Sequence, residues 1–393
     1  MQRVLYVTTE NPFPADSGGR LRVKGTLDLL RRRFEVDLLT YDRPENPTLA
    51  QARATSRIVE VPRTVTPRSA ALRALPRVRN CGIMSHAEVD FDAPLAKLAR
   101  DHRYDVVVLD NTMLGHLIQA VRRLWPKAKV VVNAHNYETS LAAQLASFQA
   151  DPLRKAFFSF NAALTKRDER RTLRAADVLW VTSPDDAAAF ARLAPDQAGK
   201  IEVVPNFIVA ADYAGTAQPE GEAIILPGNM NFFPNVKAAH FFRDEIYPLV
   251  KAQMPGVRWY IVGKDTHPSV ADFGRDDPSI VVTGYVPSVM DYVSRCGVVV
   301  APLKHGSGTR LKILEAWAVE RPVVSTSQGC EGLGCEDGRE LVIADTPQAF
   351  ADGVIRVLRD KPFAEGLARN AKAALLDRFD IGAVESRLMA SLA

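Results

Sequence analysis

The chain has 393 residues, more than one hydrophobic core usually supports, so two domains are expected. With 47 % apolar and 24 % charged residues it has material for real cores, which excludes global disorder, and no apolar run approaches the roughly 20 residues of a membrane-spanning helix. The net charge of +4 hides an asymmetry: residues 1–205 carry 31 Lys/Arg against 23 Asp/Glu, and residues 206–393 carry 19 against 23.

The N-terminal run Met1–Thr9 lacks the long apolar core of a signal peptide and reads as a first buried strand, so a cytoplasmic location is expected. Prolines and glycines mark Asn11–Arg20 as a loop. Its pair Gly18-Gly19 falls after the first strand, where open parallel sheets bind ligands. Apolar residues at helical spacing follow from Leu21 (Val23, Leu27, Leu30), and Phe34–Tyr41 reads as a second strand. Arg53, Arg57, Arg63, Arg68, Arg73, Arg77 and Arg79 crowd a Pro-containing stretch. That density suits an anionic acceptor or the inner membrane surface, and equally a solvated face. Cys81, Cys296, Cys330 and Cys335 form no CxxC pair, so free thiols and no structural zinc are expected.

Asp105–Asp110 and Val130–Ala134 read as buried strands separated by a helical pattern over Leu114–Leu124. The second runs directly into His135-Asn136-Tyr137-Glu138, which puts an imidazole at a strand's C-terminal end, a place suited to contacts with substrate or to a loop-edge hydrogen bond. Residues 139–176 hold no glycine and predict one or two long helices. Asp177–Ser183 is the next strand, with Ser183-Pro184 as cap and first helical residue. After the strand Ile201–Val204 comes the irregular stretch 205–222, the best linker. Strands then recur at Ala223–Pro227, Arg258–Val262, Ile280–Thr283, Val298–Pro302, Pro322–Thr326 and Leu341–Ile343, with helices over Val236–Lys251, Val289–Arg295 and the C-terminal remainder. Strands alternating with helices predict two parallel α/β domains in series.

The densest chemistry lies in His305–Pro322. A glycine loop runs into a helix that carries Arg310 and Lys312 in its first turn and Glu315 a turn further. Unpaired N–H groups at a helix start attract oxyanions, and glycine lets the backbone come close, so the stretch suits a phosphorylated ligand.

Seven segments in order, SGGRLR, AHNYE, RRTLRAADVLWVTS, VVPN, PGNMNFFPNVKA, YIVG and GSGTRLKILEAWAVERPVVST, resemble the retaining GT-B glycosyltransferases of the GT4 group along essentially the whole chain. The resemblance implies two Rossmann-like doubly wound domains facing across a cleft. Residues 1–205 would bind the acceptor, residues 206–380 the nucleotide-sugar donor, and the helix 381–392 would pack back on the first domain. It implies transfer of a sugar from a nucleoside diphosphate to a hydroxyl of a glycan, a lipid-linked intermediate or a natural product, with no cofactor and no metal.

Residue by residue, Glu315 matches the second glutamate of the E-x7-E motif and would accept from the ribose hydroxyls. Ser307 stands where the first glutamate belongs. Asn229 and Pro234 occupy positions near Gly228 where many members carry diphosphate-binding cations, so Arg310 and Lys312 are expected to supply that charge, with Gly306, Ser307, Gly308 and Thr309 offering N–H groups. His135 matches the histidine beside the donor sugar, and Gly18 and Gly19 the loop near the donor phosphate. Glu331 is a candidate substitute for the lost glutamate. Asp110, Asn111 and Glu138 are weaker candidates for contact with the acceptor.

An epimerase or cyclitol-joining enzyme of the same fold, and a non-catalytic homologue that lost donor binding, remain as alternatives. An NAD-dependent oxidoreductase does not fit, because no G-x-G-x-x-G follows the first strand. No recognised nucleic-acid module is present.

Overall fold

The computed structural model describes residues 1–9, 11–13, 15, 17–41, 58–61, 91–213, 222–306 and 308–393. Arg53, Arg57, Arg63, Arg68, Arg73, Arg77 and Arg79, together with Cys81 and Ser307, lie outside the described residues. The chain divides into two compact units, Met1–Pro205 with Glu385–Ala393, and Asn206–Val384.

The first unit is built on seven strands: β1 (Arg3–Thr8), β2 (Glu35–Tyr41), β3 (Ile58–Val61), β4 (Val106–Asp110), β5 (Lys129–Asn133), β6 (Val178–Val181) and β7 (Ile201–Val203). All neighbours pair parallel, in the order β3-β2-β1-β4-β5-β6-β7. Val4, Leu5, Tyr6 and Val7 of β1 are fully buried although successive side chains point to opposite faces. Both faces of the sheet are therefore covered, which is why its strands read as unbroken apolar runs.

The strand order reverses between β1 and β4, and at that point Thr8 of β1, Asp110 of β4 and Asn133 of β5 stand side by side in register. A helix spans Gly18–Arg31. The glycine pair expected in a loop is thus the first turn of this helix: Ser17 has the extended backbone of an N-cap, and its carbonyl already accepts from Leu21 N–H at 2.9 Å. The long helical stretch resolves into Glu138–Ser147 and Pro152–Ala175. Asp151 caps the second by accepting from Arg154 N–H at 2.8 Å, with Pro152 opening it. The end of the helix Ile381–Leu392 belongs to this unit, where Trp180 Nε1 donates to Ser391 Oγ at 2.8 Å.

The second unit repeats the plan with six strands, β8 (Ala223–Pro227), β9 (Arg258–Val262), β10 (Ile280–Gly284), β11 (Val298–Ala301), β12 (Val323–Ser325) and β13 (Val342–Ile343), in the parallel order β10-β9-β8-β11-β12-β13. Its reversal lies between β8 and β11. The helix expected over Val236–Lys251 begins at Phe233, widens to a π turn over Phe242–Ile246 and ends at Gln253. Pro248 has no N–H to give to the preceding turn, and the π turn accommodates it. Around Trp259, Phe242, Tyr247, Phe273 and Phe350 form a buried aromatic core, with Phe242 and Trp259 centroids 4.7 Å apart. Cys296, Cys330 and Cys335 are free thiols. Among the described residues no helix is long and apolar enough to cross a membrane.

Candidate active site

At the switch point of the first sheet the register places four polar side chains on one carboxylate. Asp110, 2 % exposed, accepts from Tyr6 Oη (2.6 Å), Thr8 Oγ1 (3.1 Å), Asn133 Nδ2 (2.8 Å) and His135 Nε2 (2.9 Å). Burial by itself would raise the Asp110 pKa, but His135 and the hydrogen bonds from Tyr6 and Asn133 outweigh it and hold the carboxyl below its ordinary value. An ionised carboxylate only accepts, so the imidazole donates from Nε2. Arg22, also buried, gives Nη2 and Nε to Asn133 Oδ1 (2.6 and 3.1 Å) and Nη1 to the Val204 carbonyl (3.0 Å). The chain Arg22–Asn133–Asp110–His135 fixes the imidazole from behind.

Two weaker expectations change here. Asp110, expected to meet an acceptor hydroxyl, is enclosed by these partners and serves His135 instead. Asn111, at φ 92°, turns its side chain back to accept from Met113 N–H at 3.0 Å and so caps the 3-10 turn Thr112–Leu117.

Glu138 opens the next helix, and burial raises its carboxyl pKa. Its backbone N–H and that of Thr139 are taken by Glu169 Oε1 (2.9 Å) and Oε2 (3.0 Å), while Thr139 Oγ1 donates to Oε2 at 2.5 Å. Glu169 is 2 % exposed and burial, with Glu138 adding to it, pushes its pKa up to about 8. A cavity of about 120 Å³ adjoins the two glutamates, lined also by the apolar Met113, Leu141, Ala142 and Leu145 and the polar Thr112, Asn161, Thr165 and Asp168.

The second unit gathers the other candidates where β8 and β11 end. Gly228, at φ 147°, follows β8, and a β-carbon on the neighbouring Gly263 would lie 1.8 Å from its carbonyl oxygen, so only glycine lets these two loops touch. A β-carbon on Gly228 itself would lie 3.1 Å from Lys312 Nζ, which places the ammonium against the Gly228 backbone. Asn235, 7 % exposed, holds that ammonium through Oδ1 at 2.9 Å and donates Nδ2 to the Asn229 carbonyl at 2.9 Å. Asn229 spends its own side chain on Asn231 N–H (2.8 Å) and Asp265 (3.1 Å), which leaves it a loop-shaping residue.

The helix of the β11 loop spans Leu311–Ala318, with Arg310 as its extended N-cap residue. Gly306, at φ 105°, leaves room for the Arg310 guanidinium, whose Nη2 would lie 2.9 Å from a β-carbon there. Thr309 is fixed by Asn206 Nδ2, which donates to its carbonyl at 2.9 Å. Gln328 Nε2 donates to the Gly306 carbonyl at 3.0 Å and also to Glu331, so Glu331 is tied to this loop. Glu315 accepts from Tyr213 Oη at 3.3 Å. Burial and the neighbouring Arg310 push Lys312 down to about 7, while burial pushes Glu315 up to about 7. An anion placed beside Lys312 and Arg310 would relieve both the desolvation of the ammonium and its repulsion by the guanidinium.

The structure therefore brings Gly228, Asn229, Gly306, Gly308, Thr309, Arg310, Lys312, Glu315 and Glu331 into one unit, and His135, Asp110, Asn111, Glu138 and the Gly18-Gly19 turn into the other. Sequence reasoning missed Arg22, Asn133, Tyr6, Asn235 and Tyr213. The available signal was modest: Asn133 ends a run of valines, and Asn235 interrupts an otherwise apolar segment. Among the described residues no group of three or more His, Cys, Asp or Glu side chains is arranged to hold a metal ion.

Residues 17–206 match the model of the glycosyl transferase 4-like domain, and residues 221–360 that of the glycosyl transferases group 1. The chain is 22 % identical over 396 residues to an uncharacterized 44.6 kDa protein in the cps region of Klebsiella pneumoniae, covering 97 % of each. Among solved structures it resembles the sucrose-phosphate synthase of Thermosynechococcus elongatus (18 % identity, TM-score 0.72, 99 % of this chain and 98 % of that one). It also resembles Anabaena HepE in complex with UDP and glucose (13 %, 0.70, 100 % and 99 %). A third is TarM of S. aureus in a complex containing UDP (9 %, 0.71, 100 % of each chain).

Proposed function

Because the chain belongs to the group 1 glycosyltransferases, GT4-type enzymes of the GT-B fold, we propose that it transfers a sugar from a nucleoside diphosphate to a hydroxyl acceptor, with retention of configuration and without a metal ion. The observation that carries this reading is Lys312, held by Asn235 against the Gly228 backbone beside Arg310. A diphosphate seated there would meet two cations and the N–H groups that open the Leu311–Ala318 helix.

In this reading Glu315 accepts from the ribose diol, and His135, oriented by Asp110, donates to or accepts from a hydroxyl of the transferred sugar. The bond from the anomeric carbon to the diphosphate oxygen breaks, the acceptor oxygen bonds to the same face, and the acceptor's proton passes to the departing phosphate. Charge grows on that phosphate as the bond opens, so cations placed against it lower the barrier more than they stabilise the intact donor. Protein cations in this position take the part a divalent ion plays elsewhere, which supports independence from metal. UDP is the nucleotide we favour, since HepE and TarM were solved with it. The acceptor is a hydroxyl of a glycan, a lipid-linked intermediate or a natural product, and the basic first unit would make peripheral contact with a membrane.

A thermal-shift screen of UDP, GDP and ADP, with and without EDTA, tests the donor site. Stabilisation by one diphosphate, unchanged by EDTA, is expected. No shift with any nucleotide, or a shift that needs magnesium, would overturn the donor assignment or its metal independence respectively. Proton NMR of the first product formed from an α-linked donor then reports the anomeric outcome, and a β-linked product would remove retention.

A further inference from the structure

The Pro152–Ala175 helix leaves its first turns outside the core. Its buried side chains, Thr165, Glu169, Thr172 and Leu173, all lie in the second half. In the first half Leu153, Phe157 and Phe160 are 82 %, 55 % and 57 % exposed. Spacings of four and three residues put them on one face. Phe148, just before this helix, is 38 % exposed, and Phe158 stands edge-on to Phe157 with centroids 5.5 Å apart. A folded protein has no internal reason to spend several large apolar side chains on one solvent-facing stripe.

The surrounding charge says what covers it. The helix carries seven Lys/Arg against two acidic residues. Arg154 and Lys155 are exposed within the apolar turns, and Lys166, Arg170, Arg171 and Arg174 are exposed beyond them. Pairing with a second copy across a two-fold axis would bring these like charges together. Three or four side chains also fall short of the roughly 1,200 Å² that a stable protein interface buries. An apolar stripe edged by cations instead matches the boundary between lipid headgroups and acyl chains.

We propose that the first three turns of the Pro152–Ala175 helix dock on an anionic lipid surface, with Leu153, Phe157 and Phe160 entering the headgroup boundary and Arg154 and Lys155 meeting the headgroups. This gives the proposed membrane contact a specific element, separate from the arginine-rich segment before residue 80, and it does not depend on the transfer reaction.

Co-sedimentation with vesicles of phosphatidylcholine containing about one third phosphatidylglycerol, in the absence of any nucleotide sugar, tests it. The full chain is expected to bind these vesicles and to bind pure phosphatidylcholine about tenfold less. Phe157→Asp with Phe160→Asp should cut binding at least about tenfold while the melting temperature stays unchanged, because both side chains are exposed. Arg154→Glu with Lys155→Glu should lose the preference for anionic vesicles. Failure of the full chain to bind, or wild-type binding by the Phe157/Phe160 double variant, overturns the proposal. So does a concentration-dependent dimer, seen by light scattering without lipid, that the same double variant abolishes. Nucleotide binding by the variants, measured in parallel, keeps this outcome apart from the fate of the donor site.

Discussion

The two sheets share a strand order, yet their switch points are furnished in opposite ways. In the first unit the carboxylate at the strand ends is already complete: Asp110 has four donors, and Arg22 backs the amide that supplies one of them. In the second unit the strand ends offer glycine backbone, and the charged groups that reach them are poorly solvated, with Lys312 pushed down and Glu315 pushed up to about the same value of 7. A network that is satisfied without ligand serves to orient a group, here His135. A poorly solvated ammonium beside a guanidinium and glycine backbone is instead placed to gain from a bound anion. The contrast separates positioning from binding, and each side can be broken alone.

Asp110→Asn attacks the positioning side and should have the largest effect. The amide nitrogen of the new side chain would face groups that donate, so His135 loses its orientation while the second unit is untouched. Turnover is expected to fall roughly 100-fold or more, in line with the worth of a positioned acid–base group, with nucleotide affinity by calorimetry unchanged. Equal losses in turnover and in nucleotide affinity would mean that the first unit's network does not act separately from the donor site.

Lys312→Ala attacks the binding side. A lost charge-assisted bond to phosphate costs about 1.5–3 kcal/mol, or roughly 10- to 150-fold in diphosphate affinity. The same lysine sets a pH dependence. Its pKa of about 7 means that the ammonium needed by an anion is depleted as pH rises above that value, so wild-type affinity should decline between pH 7 and 9 and binding should take up protons from the buffer. Calorimetry in buffers of different ionisation enthalpy reads this directly. Wild-type affinity in the alanine variant, or uptake that survives the substitution, would take Lys312 out of the site.

Much of this was legible in the residues. Unbroken valine and isoleucine runs announced nearly every strand, because a sheet covered on both faces needs apolar residues at both parities. The glycine loop and the cations of the following helix marked the candidate anion-binding stretch of the second unit, since both sit close together in the chain. The network around Asp110 was not legible, because Tyr6, Thr8, Asp110 and Asn133 meet only through strand register and Arg22 reaches them from the Gly18–Arg31 helix, and no local pattern reveals a hydrogen bond across 104 or 111 residues. The Gly18-Gly19 turn reads as a loop for a related reason: glycine lowers helix propensity, but the packing of the fully buried Val23, Leu27 and Leu30 carries the helix over that cost. Asn235 was passed over because its value depends on Lys312, 77 residues away.

The first unit also holds a carboxyl shifted far up by burial, and its effect is read in stability rather than in turnover or affinity. Glu169 closes the N-terminus of the Glu138–Ser147 helix, and with its folded pKa raised to about 8 the native state holds a proton that the unfolded chain, near 4.5, releases. A raised folded value makes the contribution to stability complete below the unfolded pKa and steadily lost as pH climbs through the folded one. Stability of this unit should therefore drop by about 2–3 kcal/mol between pH 6 and 9, roughly 5–10 °C in melting temperature for a unit of this size. Glu169→Gln keeps an oxygen for one helix N–H and has no proton to lose, so its melting temperature should stay level over that range. A glutamine variant with the wild-type slope, or a wild type that gains stability toward pH 9, would show that Glu169 is ionised throughout and that even this carboxylate belongs with the satisfied groups of the first sheet.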